Sequence, residues 1–70
     1  MKVKVTWANN NPFVVDIRNL SRYSEAELPD DMDYGTIEEF AREATPEGFH
    51  LRSIDISGKV SQYDYNGNKL

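Results

Sequence analysis

Asp30, Asp31 and Asp33 place three carboxylates within four residues, the densest ligand chemistry in the chain, and calcium is the ion they would suit. An EF-hand loop needs oxygen donors at its first, third and fifth positions, glycine at the sixth and glutamate at the twelfth. With Gly35 in the sixth position and Asp30 in the first, Met32 falls third, Tyr34 fifth and Ala41 twelfth, so the register fails. Glu38, Glu39 and Glu43 invite comparison with the paired carboxylates of general acid–base and glycosidic chemistry. Such pairs need a cleft and one desolvated carboxyl group. A chain of 70 residues encloses little volume for a cleft, and these glutamates fall on the polar side of a helical repeat. Glu38 and Arg42 also stand at i, i+4, the spacing of an exposed stabilising pair. His50 is the sole histidine and cysteine is absent, which rules out the common zinc ligand sets, and nothing in the sequence marks that histidine as paired and oriented in a pocket for a serine nucleophile. Gly35, Gly48, Gly58 and Gly67 lack any phosphate-cradling spacing. The expectation is a protein that is not an enzyme and holds neither metal nor cofactor.

Charge is the stronger signal. Glu25 to Glu47 holds nine of the twelve acidic residues and one base, Arg42, a formal −8 against +4 for the rest of the chain. The overall −4 opposes bulk attraction to nucleic acid or to an anionic membrane. No apolar run approaches a membrane span, and the opening MKVKVTW lacks the apolar stretch of a signal peptide, so a soluble, cytoplasmic protein is expected. Without disulfides, stability must come from the aliphatic side chains and the eight aromatics, with self-association into a homo-oligomer as a further source.

The elements that position these groups follow from periodicity. Lys2 to Trp7 alternates, with Val3, Val5 and Trp7 on one face and Lys2, Lys4 and Thr6 on the other, and reads as a half-buried strand. Asn9-Asn10-Asn11-Pro12 breaks it, and Phe13 to Leu20 resumes the alternation, which predicts an antiparallel hairpin. Ser21 to Gly35 has no such period and reads as a mostly irregular crossover, pinned by Tyr23, Leu28, Met32 and Tyr34. Thr36 to Glu39 matches a capping box, and Ile37, Phe40, Ala41 and Ala44 form the apolar stripe of a short helix that Thr45-Pro46-Glu47-Gly48 ends. A second hairpin follows, Phe49 to Ser57 and Val60 to Tyr65 about a Ser57-Gly58-Lys59 turn. Leu51 is out of phase with Ile54 and Ile56, which calls for a bulge near Arg52–Ser53 or a strand that starts at Ser53. Asn66-Gly67 predicts a last turn with a short return or a frayed tail.

The predicted fold is therefore α+β, a single small domain over residues 1–70 in the order β-β-α-β-β. One antiparallel sheet of about four strands carries the single helix on one face. The expected core is Val3, Val5, Trp7, Phe13, Val15, Ile17, Ile37, Phe40, Ala44, Leu51, Ile54 and Ile56.

Three functional expectations follow. In the first, Glu25, Glu27, Asp30, Asp31, Asp33, Glu38, Glu39 and Glu43 dock on a basic protein surface, most specifically as a small phage-type inhibitor whose carboxylates stand in for phosphates on a host nucleic-acid-binding protein. The loop set Glu25 to Asp33 carries most of that suspicion, because cap, dipole and i, i+4 pairing account for the helix glutamates. In the second, the uncovered sheet face binds single-stranded nucleic acid through Lys2, Lys4, Arg18, Tyr63 and Tyr65, since bases stack on aromatics between basic residues. The third rests on Gly35 to Ala41, GTIEEFA, which over seven residues resembles the Gly-x-Thr-x-Glu-Glu-Ala helix start of some antitoxin domains. The resemblance implies an antitoxin-like regulator, although the proline-glycine strand pattern that precedes this start in that family is missing and the capping box accounts for the same residues.

Overall fold

The computed structural model describes residues 1–11, 13 and 16–70. It has a single four-stranded antiparallel sheet and one α-helix, in the predicted order β-β-α-β-β. The strands are β1 (Lys2–Asn9), β2 (Ser21–Glu27), β3 (Phe49–Ile56) and β4 (Lys59–Gln62), arranged β2-β1-β3-β4, with the helix α1 (Tyr34–Glu43) between β2 and β3 in sequence.

β1 is central, with a strand on each side. It pairs with β2 from Lys2↔Glu27 to Ala8↔Ser21 and with β3 from Val3↔Ile56 to Asn9↔Phe49. On β3 the register shifts where Ser53 faces Thr6 but Leu51 faces Trp7, so Arg52 is the extra residue of a β-bulge. This resolves the phase conflict in the sequence: Leu51 and Ile54 are both buried beneath the helix. Ser57 and Gly58 both take positive φ, 51° and 91°, as a two-residue turn matched to the twist of its strands requires. Beyond β4 the Asn66-Gly67 turn brings the chain back for a single bridge, Tyr63↔Lys69, the short return expected.

The core comprises Val3, Trp7, Ile37, Ala41, Leu51, Ile54 and Tyr63. The Trp7 indole N–H donates to the Ala41 carbonyl at 3.0 Å, and the Thr45 hydroxyl donates to the same oxygen at 3.0 Å. Carbonyls in the last turn of a helix have no partner within it, so these two bonds satisfy one while locking α1 onto β1. Among the described residues no buried side-chain nitrogen or oxygen lacks a partner.

Several sequence expectations need correction. The second strand is Ser21–Glu27, inside the stretch read as irregular, and the described residues of the expected strand, Phe13 and 16–20, are not part of it. Every residue of β2 is exposed. As an edge strand with Arg22, Ser24 and Ala26 on the helix side, it has no apolar alternation to show, and its pairing with β1 holds it. Phe13 is 84% exposed and not core, Ile17–Asn19 forms a 3-10 turn, and Val15 and the Ile17 side chain lie outside the described residues. The helix starts two residues before Thr36, with Asp33 as its N-cap. Phe40 and Ala44 are exposed, and Val5 and Ile56 are only partly buried. β4 stops at Gln62.

Candidate protein-docking surface

The fold consumes most of the acidic loop. Asp33 caps α1: its carboxylate accepts from the Gly35 amide at 2.6 Å, the Thr36 amide at 3.3 Å and the Thr36 hydroxyl at 3.0 Å. The Thr36 hydroxyl, then the two amides, hold the Asp33 carboxyl below its usual range. Asp30 accepts from the Met1 amino group at 2.7 Å, Glu27 lies 3.1 Å from that group, and the amine lowers the Asp30 carboxyl as well. Asp30 and Asp33 are therefore committed to different partners, and among the described residues no cluster of three or more His, Asp or Glu is placed to share an ion. Glu25 and Glu27 project from β2 opposite Lys4 and Lys2 of β1.

Glu38 is consumed too. Its carboxylate accepts from the Tyr63 hydroxyl at 2.5 Å and lies 3.8 Å from Arg42. Because that bond uses the one Tyr63 proton, Tyr34 must donate its own to Tyr63, 2.5 Å away. Burial, then the bond to Glu38, pushes the Tyr63 phenol far above its ordinary range. Arg42 donates to the Gly67 carbonyl at 2.8 Å, and Lys69 Nζ sits 4.6 Å above the Tyr34 ring, so the returning tail is fastened to the helix.

Glu25, Asp31, Glu39 and Glu43 remain. All four are exposed, and among the described residues none makes an ion pair. Glu39 and Glu43, one helical turn apart, lie together along one side of Phe40, which is 61% exposed. On its other side Phe40 borders an apolar groove of about 280 Å³ between α1 and β2. Val3, Val5 and Trp7 form the floor, Ser24 and Ala26 the β2 side, and Leu28 and Met32 one end. The groove exists because α1 lies over β1 and β3 and leaves the small side chains of β2 uncovered. Sequence reasoning missed it: Phe40 fits the helix stripe, and only Ser24 and Ala26 in a stretch otherwise of larger residues hint at an uncovered strand.

The open sheet face differs from the expected basic, tyrosine-bearing surface. Tyr63 is buried on the helix side, and Arg18 pairs with Asp16 in the 3-10 turn, away from the sheet. Lys2 and Lys4 do lie on that face, with Glu25 and Asp55 beside them, and Lys4 Nζ stands 4.7 Å above the Tyr23 ring. Tyr65 packs against His50 with ring centroids 5.0 Å apart and the rings tilted by 53°, and His50 Nδ1 meets Asn10 Oδ1 at 2.7 Å. No helix among the described residues is long and apolar enough to cross a membrane. Compared with family models, with curated proteins and with solved structures, the chain matches none.

Proposed function

We propose that the chain is a non-enzymatic protein-binding module that docks on a basic partner through the acidic flank of α1. The observation that carries this reading is that two exposed glutamates, Glu39 and Glu43, which make no ion pair among the described residues, stand side by side next to the exposed Phe40. An apolar anchor within a charged rim is how interfaces combine affinity with electrostatic steering. Asp31 and Glu25 are further exposed carboxylates that make no ion pair among the described residues. The most specific form is an inhibitor of a nucleic-acid-binding protein, phage-type in character, in which carboxylates one helical turn (about 6 Å) apart occupy phosphate positions.

The test is retention of basic proteins on the immobilised chain at low and at high salt, alongside a Glu39→Gln/Glu43→Gln variant. Salt-sensitive retention that the double variant loses supports the reading, and no retention at low salt removes it. The inhibitor form further requires the chain to displace a labelled duplex from a retained protein.

A second reading, single-stranded nucleic acid on the open face, is favoured by the Lys4–Tyr23 stack alone. Glu25, Glu27 and Asp55 on the same face oppose it.

A further inference from the structure

β2 is an edge strand, and its backbone pattern can be worked out. At one end Leu28 donates to the Met1 carbonyl and Met1 to the Leu28 carbonyl; at the other Asn9 donates to the Leu20 carbonyl. These pairs share the register of β1 with β2, so hydrogen-bonded pairs alternate between them and fall at Ala26, Ser24 and Arg22. The N–H and C=O groups of Tyr23, Glu25 and Glu27 therefore point away from β1, along an edge to which no strand pairs among the described residues. β2 has no proline and its pairing with β1 has no register shift, so this edge lacks two of the usual devices that discourage strand addition.

From this geometry we infer that β2 receives an extended segment of the partner as a fifth strand, one that alternates apolar residues toward α1 with lysine or arginine on the open face. Two observations select that pattern. On the helix side, Ser24 and Ala26 are too small to fill the groove beside Phe40, so apolar side chains of the incoming strand have space to reach across them. On the open side, Glu25 and Glu27 face lysines of β1, and the same carboxylates stand next to whatever pairs on the outer edge. The chain's own β1 displays the matching sequence, with Lys2 and Lys4 opposite the glutamates and Val3 and Val5 opposite Ala26 and Ser24.

A second copy meets neither requirement. In the two-fold register that sets Ser24 against itself, Glu25 and Glu27 of both copies crowd one face without a new cation, and Arg22 comes to lie beside Ala26 of the other copy on the apolar side. The inference rests on the reading that the chain binds a basic protein, and it specifies which part of that protein is bound and how.

The probe is a labelled synthetic peptide of about nine residues alternating lysine and valine, long enough to span a typical strand, followed by fluorescence anisotropy against the whole chain. Three comparison peptides replace lysine by glutamate, replace valine by serine, or carry N-methyl groups on alternate residues. Two N-methylated versions cover the two registers, and one of them must block the edge. The lysine–valine peptide is expected to bind at least about tenfold more tightly than the glutamate and serine peptides, and one N-methylated version should lose about tenfold or more. Glu25→Pro should cause the same loss, since the Glu25 N–H lies outside the β1 ladder; the N-methylated peptides give the answer without altering the protein. Undiminished binding of both N-methylated versions overturns strand addition and leaves the basic-partner reading standing. Equal binding of the lysine and glutamate peptides overturns both. Self-association of the chain that the peptide cannot reverse assigns the edge to a second copy and overturns the inference.

Discussion

Asp33 and Tyr63 set opposite pH limits on this fold. The Asp33 carboxyl is depressed by the bonds it accepts at the helix start, so the stability it contributes is fully present above its unfolded value and is lost as pH falls through the lower, folded one. Asp33→Asn keeps an acceptor that does not titrate. That variant should lose less stability than the parent between about pH 5 and pH 2, measured by urea midpoints across the range. The Tyr63 phenol is raised, so its contribution is present below the unfolded value near pH 10 and is lost above it. Tyr63→Phe should cost about 1 kcal/mol at neutral pH by leaving Glu38 and Tyr34 without their shared partner, and should flatten the alkaline limb of the thermal midpoint.

At the scale of elements, the bulge and the placement of the helix decide which side chains are buried. Deleting Arg52, the extra residue, leaves Leu51, Ser53 and Ile54 opposite Trp7, Thr6 and Val5 in unbroken alternation, whereas deleting Arg52 and Ser53 together sets Leu51 and Ile54 on opposite faces. The single deletion should keep a sharp cooperative unfolding transition, whereas the double deletion should broaden or abolish it, as followed by urea denaturation. Phe40→Ser should shift the unfolding midpoint by no more than about 0.5 kcal/mol, because the ring is mostly in water, while weakening partner retention. β1, α1, β3 and the bulge were legible because their side chains are sorted between a wet and a dry face. β2 was not, because an edge strand with exposed side chains leaves no period to read. Of the alternating stretch Phe13 to Leu20, the described residues, Phe13 and 16–20, enter no strand, since a hydrophobic period states a preference and not a partner. Phe40 belongs to the stripe of α1, but a period cannot say where the helix axis will lie across the sheet, and that offset leaves the ring outside.

Across the whole molecule, the acidic excess is divided between structure and surface. Glu27 and Asp30 hold the Met1 amino group, Asp33 caps, and Glu38 fastens the tail, so partner binding should be insensitive to Asp30→Asn but sensitive to Glu39→Gln/Glu43→Gln. A titration of retained protein against salt for the three chains separates these outcomes. The central position of β1 carries a further consequence. Its pairing with β3 joins Val3 to Ile56 across most of the chain, and only its pairing with β2 is a local hairpin. Assembly must therefore close a long loop before its most productive contacts form, which places the chain among slower folders for its size. During synthesis β1 leaves the ribosome well before β3, so Val3, Val5 and Trp7 stay uncovered while translation proceeds. The lysines interleaved with them keep that nascent segment from pairing with its neighbours on a polysome.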